Sequence, residues 1–278
     1  MDLSEKLQRL KPEDMSAEEW RLRLELAACY RLFDWMGWTE LIYNHITVRV
    51  PGPDRHYLIN PYGLWYTEIT ASNLVKVNLA GEPVDGSRYP VNRAGFVIHS
   101  AIHAARDDAH CIIHTHTTAG AAVSCKQGGL RYDNFYSAVL YGQVAYHDFE
   151  GVTTDTGEQP RLVNSLGSKP VLILRNHGLL VACPSLPEAF STYWTLQRAC
   201  EIQVATDSMQ GENLPITQQV LIPAGGSVSI DGDTSANLAP GFFESLRVVE
   251  KRFAALPLLF LASRAPPWSA ACTMEEPS

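Results

Sequence analysis

His114 and His116 stand one residue apart at the end of the apolar run Cys111-Ile-Ile, a residue type and spacing suited to holding a metal. On a strand, side chains at i and i+2 leave from the same face, so the two imidazoles offer two nitrogens to one ion. His177 adds a third. It sits in the apolar run from Val171 to Ala182, which is broken at Asn176-His177-Gly178. A polar triplet inside a buried β run is costly unless it has a task. Three protein nitrogens with open positions form the donor set of a catalytic rather than a structural metal site. The competing reading of the pair is that one histidine packs and the other is solvated, and that of His177 is a core histidine bonded to a backbone carbonyl.

Strands and helices must position these rings. Ser16 with Glu19 three residues on has capping-box spacing and predicts a helix ended by Gly37. Its apolar residues, from Trp20 to Met36, surround much of the circumference, so coverage on more than one side is expected. The segment from Leu41 to Val50 alternates as a strand, with His56 to Asn60 as hairpin partner and Val75 to Leu79 as a third strand. Asn92 caps a helix from about Arg93 to Arg106. Phe96, His99, His103 and Arg106 share one side of it, while Val97, Ile98, Ala101 and Ile102 make its core face. A helix from Thr118 to about Cys125 follows, then a mixed segment from Ala138 to Tyr146. A loop with a short helix spans Thr153 to Gly167, and a long helix capped by Ser185 runs from Leu186 to Met209. Beyond Gln210 the composition loosens into a linker, with a helix expected from about Gly241 to Phe260. The predicted organisation is a loose arm at 1–16, one domain at 17–210, and linker, helix and tail at 211–278.

With 46% hydrophobic and 19% charged residues among 278, the chain has ample material for a core. Its formal charge of −8 argues against nucleic acid as a bulk partner. No segment approaches the ~20 apolar residues of a membrane span. The stretch from Met1 to Lys11 has no apolar run of the kind that directs export. The cysteines (Cys29, Cys111, Cys125, Cys183, Cys200, Cys272) form no Cys-x-x-Cys pair, which fits free thiols and a cytoplasmic location.

The runs Asn92-Arg-Ala-Gly-Phe-Val-Ile-His-Ser-Ala-Ile-His103, His114-Thr-His116 and Arg175-Asn-His-Gly-Leu-Leu180 resemble the class II aldolase/adducin family. The resemblance covers about residues 18 to 210. It implies an α/β fold, a three-layer α/β/α sandwich around a mostly antiparallel central sheet, commonly assembled as a homotetramer with sites at subunit interfaces. It also implies a divalent ion on His114, His116 and His177. The family's sugar-phosphate aldolases carry a Glu as acid/base where this chain has Gly95, four residues before His99. Asn44 is the one obvious remnant of their phosphate loops.

The Asn-x-Ala-Gly-Phe signature points to the adducin-like branch. That branch includes a non-haem iron oxygenase/decarboxylase of aminocoumarin antibiotic biosynthesis, which acts on a prenylated 4-hydroxyphenylpyruvate and is similar in length, histidine set and lack of the Glu. The function so implied is metal-dependent cleavage of a carbon–carbon bond next to the carbonyl of a small molecule. Its favoured form is oxidative decarboxylation of an aromatic 2-oxo acid with Fe(II) and O2. The alternative is a retro-aldol or decarboxylating lyase with Zn or Mn, which needs no oxygen. A non-catalytic adducin-like scaffold is a third reading, and the complete histidine set counts against it.

Tyr146 matches the family's catalytic tyrosine and as a phenol could protonate a leaving carbanion; a packed interface tyrosine is the other reading. Arg93, in the first turn of its helix, could meet a substrate carboxylate or be a solvated surface side chain. His99 could orient a ligating imidazole, or be a satisfied core histidine. Tyr62, Trp65, Tyr66, Phe96 and Tyr146 are candidates to stack on an aromatic substrate. His45, His56, His103, His110 and His147 receive no role.

Overall fold

Ser16 Oγ accepts the Glu19 amide at 3.1 Å in the computed structural model, which describes residues 10–151 and 156–225. That cap starts helix α1 (Ala17–Trp35), as its spacing predicts. The Glu19 carboxylate binds Arg23 and Lys76, and Arg23 also reaches Asp85 and the Leu74 carbonyl. A buried guanidinium with this many partners is compensated, and it ties α1 to the third strand and the loop after it. Apolar α1 residues from Trp20 to Phe33 are buried around most of the helix, matching the broad coverage expected.

Seven strands form one sheet in the order β3-β2-β1-β4-β7-β6-β5. They are β1 (His45–Arg49), β2 (Tyr57–Ile59), β3 (Val75–Val77), β4 (Cys111–Thr115), β5 (Val144–His147), β6 (Val171–Leu174) and β7 (Gly178–Cys183). Every pairing is antiparallel except β5 with β6. The first strand is shorter than expected: Leu41 takes a φ of 48° and is exposed, so the chain turns until His45. β5 emerges from the segment read as mixed, after the short helix α4 (Phe135–Val139).

Helices cover both faces. α1, α3 (Thr118–Ser124) and α6 (Leu186–Asp207) pack on one, where Phe33, Phe190 and Tyr193 meet Ile46, Ile113, Leu179 and Val181. α2 (Arg93–Ala105) and α5 (Gln159–Leu166) pack on the other, where Ile98, Ile102, Leu162 and Leu166 meet Ile112, Leu172 and Leu180. This is the three-layer α/β/α sandwich. β4 lies at its centre, buried along its whole length. One expectation for α2 is corrected: His99 and His103 are not on a face separate from the core but fully buried against β1.

Ser185 caps α6 by accepting the Glu188 amide at 3.3 Å. The segment read as linker contains a further helix, α7 (Gln218–Gly225), whose Gln218 donates to the Tyr141 hydroxyl. The helix expected near 241–260 lies outside the described residues. No helix among the described residues is long and apolar enough to cross a membrane.

Candidate metal centre

His114 is held by the strand next to its own. Its Nδ1 lies 2.9 Å from the Leu179 carbonyl on β7. A carbonyl only accepts, so Nδ1 carries the proton and Nε2 is a bare lone pair. His116 follows the end of β4, and its backbone N–H donates to Asn44 Oδ1 at 2.8 Å. Asn44 is itself buried and donates to the Trp38 carbonyl at 3.0 Å.

His177 sits in the tight turn between β6 and β7. There Asn176 takes the left-handed conformation, φ 55°, that its short polar side chain tolerates. Gly178 is needed for space: a Cβ there would lie 2.3 Å from the Thr115 carbonyl oxygen. The His177 amide donates to the Leu174 carbonyl at 3.1 Å and to Ser124 Oγ at 3.2 Å. Each member of the polar triplet thus has its own physical reason.

The fold brings all three sequence-predicted rings together. His177 Nε2 is 2.8 Å from His116 Nε2 and 3.3 Å from His114 Nε2. Burial, the leading cause in each case, keeps the rings neutral: His177 is pulled down to about 4, His116 lies below its usual value, and His114 lies well below. Metal–nitrogen bonds of 2.0–2.1 Å in a tetrahedral shell would set the nitrogens about 3.3 Å apart. Spacing, neutrality and the locked His114 tautomer therefore fit a divalent ion. Among the described residues this trio is the cluster of three or more ligand-bearing side chains, and no carboxylate joins it.

The exposed rings of Tyr43 and Phe149 flank the trio, with centroids 6.4 Å from His116 and 6.4 Å from His177 respectively. Neither was among the aromatic candidates. Tyr66 instead packs edge-on against Tyr30 in the core, and Phe96 lies under Gly81. A cleft of about 930 Å³, lined by Glu18, Arg49 and Pro187, opens at the far end of β1 and contains none of the trio.

The other predicted site residues fall elsewhere. His99 does not bond the trio. Its Nε2 lies 2.9 Å from His45 Nδ1 and its Nδ1 lies 2.7 Å from Thr47 Oγ1. Thr47 Oγ1 is in turn 2.8 Å from His103 Nε2, and His103 Nδ1 is 3.0 Å from the Ala109 carbonyl. His99 is therefore one step removed: it orients His45, whose ring lies 5.1 Å from the His114 ring. His45 also fills the space beside Gly95, where a Cβ would come within 2.7 Å of its ring.

Sequence reasoning passed over His45. The available signal was the alternation His45-Ile-Thr-Val-Arg49, which puts His45, Thr47 and Arg49 on one face of an apolar strand, where they need buried partners.

Within one chain Tyr146 is not brought to the trio. It shares its sheet face with Val144, on the α6 side, while His114 shares the α2 side with Ile112. Its hydroxyl accepts the Leu130 amide at 3.0 Å and Arg175 lies 4.4 Å over its ring. Arg93 opens α2 as expected, and its side chain lies outside the described residues.

Residues 24–204 match the model of the class II aldolase and adducin N-terminal domain. A Caulobacter vibrioides protein named for aldolase class 2 is 46% identical over 200 residues, 72% of this chain and 78% of that protein. Alpha-adducin of Rattus norvegicus is 53% identical over 193 residues, 68% of this chain but 26% of the adducin. Among solved structures, an aldolase II superfamily protein from Pseudomonas syringae aligns with a TM-score of 0.80 at 42% identity, covering 86% of this chain and 95% of that one. L-fuculose 1-phosphate aldolase from Glaciozyma antarctica aligns at 0.73 and 30% identity, covering 87% and 96%.

Proposed function

The chain belongs to the class II aldolase and adducin family, and on that premise we propose that it is a divalent-metal-dependent lyase. It would cleave a carbon–carbon bond next to the carbonyl of a small molecule. The observation that carries this reading is the convergence of three neutral imidazole nitrogens at 2.8 and 3.3 Å, with no carboxylate among them. Aldolases of this class use a divalent metal, usually zinc. His114, His116 and His177 would hold such an ion, which would supply polarisation of a substrate carbonyl and stabilise the charge developing on it.

The chain's own residues supply placement. The Leu179 carbonyl fixes the ring and tautomer of His114, and Asn44 fixes the backbone of His116. Tyr43 and Phe149 form an apolar rim that would cover the non-reacting part of a substrate.

The lyase form is supported by the name of the Glaciozyma antarctica relative, an aldolase. The oxidative form, Fe(II) with O2 and an aromatic 2-oxo acid, is favoured by one observation. The two exposed rings beside the trio could stack on an aromatic substrate. A non-catalytic adducin-like role is disfavoured by the complete trio. A homotetramer, mass measurable by light scattering, belongs to the same proposal.

Protein purified without chelator or affinity tag should contain stoichiometric zinc, manganese or iron. No metal, together with an unaltered His177→Ala variant, would overturn both enzymatic forms. Turnover of an arylpyruvate that stops in anaerobic buffer would replace the lyase with the oxygenase.

A further inference from the structure

Outside the trio, four buried side chains form one hydrogen-bonded line: His103, Thr47, His99 and His45. The line starts at the Ala109 carbonyl, which can only accept, so His103 Nδ1 carries a proton. All three rings are buried, and their bonds run to one another, to a hydroxyl and to a carbonyl with no carboxylate among them, an environment that favours neutral imidazoles. A neutral His103 then has a bare Nε2, which takes the Thr47 hydroxyl proton. The Thr47 oxygen accepts from His99 Nδ1–H. His99 Nε2 is then bare and accepts from His45 Nδ1–H. Only this assignment satisfies every bond, and it leaves His45 Nε2 as a lone pair.

That lone pair is well placed. His45 pairs with His114 across β1 and β4, on the same face of the sheet. The rings lie 5.1 Å apart and tilted by 44°. Gly95 packs against the same ring, and a Cβ there would come within 2.8 Å of Nε2, so only glycine leaves that nitrogen unobstructed from this side. Nε2 makes no hydrogen bond among the described residues.

We propose that His45 Nε2 is a fixed hydrogen-bond acceptor for a substrate hydroxyl, so that the site selects hydroxy-carbonyl compounds. The inference rests on the metal reading of the trio above. A group bound there must donate to Nε2. A hydroxyl donates; a carboxylate or ketone oxygen in that position would face lone pair to lone pair. His45 would touch the substrate, whereas His99, Thr47 and His103 are positioning residues that keep its Nε2 bare. The same lock disfavours a plain 2-oxo acid, whose atoms next to the carbonyl bring no donor.

Two measurements test this. In the metal-free full-length protein, long-range 1H–15N NMR should show His45 protonated at Nδ1 and bare at Nε2, and Thr47→Val should abolish that single tautomer. A proton on His45 Nε2 in the wild type would overturn the proposal. In the zinc-loaded protein, glycolohydroxamate should bind about tenfold more tightly than acetohydroxamate, which lacks its hydroxyl. The preference should vanish in His45→Phe while zinc stoichiometry stays unchanged. A preference that survives in His45→Phe, or is absent in the wild type, overturns it as well. Failure to bind zinc at all would sink the metal reading instead, and the tautomer measurement would still decide for or against the His45 acceptor.

Discussion

Asn44 Oδ1 accepts the backbone N–H of His116 at 2.8 Å, so a residue at the entrance to β1 sets where the second imidazole can stand. Asn44 is buried and makes its other bond to the Trp38 carbonyl. Asn44→Ala should keep the fold but let the chain after β4 relax. Zinc affinity, measured by competition with a chromogenic chelator, is expected to fall about 10- to 100-fold, as when other orienting partners of metal ligands are removed. Unchanged affinity would show that His116 is held by other means.

Thr47 serves two histidines with a single hydroxyl. Thr47→Val keeps the shape and strands a buried donor on His99 and a buried acceptor on His103. The expected cost is roughly 2–4 kcal/mol, read from the urea midpoint at constant m-value. A loss below the error of that measurement would mean that the line is not bonded as described.

His103 makes stability depend on acid. Burial and then the nearby Arg49 charge hold it down to about 3 in the folded chain, against about 6.5 when unfolded. Its ring is packed against Tyr57 and bonded to Thr47 and the Ala109 carbonyl, with no carboxylate among these contacts. Between those two values the unfolded chain binds a proton that the folded chain refuses. Stability is therefore full above about pH 6.5 and falls as pH drops toward 3, by up to about 1.4 kcal/mol per pH unit from this group. Urea unfolding of the metal-free protein across that range should show the slope, and His103→Gln should reduce it.

Much of the candidate site was legible in the order of residues. The trio followed from imidazoles at strand ends, and the caps of α1 and α6 from Ser with Glu three residues later. What stayed hidden depends on pairings between distant segments. That β1 lies beside β4, placing His45 next to His114, is set by sheet register and is written in neither strand. The aromatic rim stayed hidden for a related reason: Tyr43 falls in a segment that alternates like a strand but turns until His45, and Phe149 lies in irregular chain after β5, so neither ring's direction follows from periodicity. Tyr146 is different. Its place beside Val144, on the face away from His114, follows from strand alternation, but β5 is a four-residue strand that was not recognised.

Gly95 and His45 compete for one volume, because a Cβ at 95 would lie 2.7 Å from a ring carbon that the line of bonds prevents from moving aside. Gly95→Ala should cost about 1–3 kcal/mol in the wild type and much less in a His45→Ala background. Additive losses in this cycle would show that the two positions are independent.

The same exclusion carries a historical constraint. A lineage could acquire a side chain at position 95 only after shrinking residue 45, and could install histidine at 45 only after clearing 95. The two columns of any family alignment should therefore trade places, with histidine at 45 accompanied by glycine at 95 and larger residues at 95 accompanied by smaller ones at 45. Sequences that sit on either side of that exchange would divide the family into two ways of furnishing one metal site.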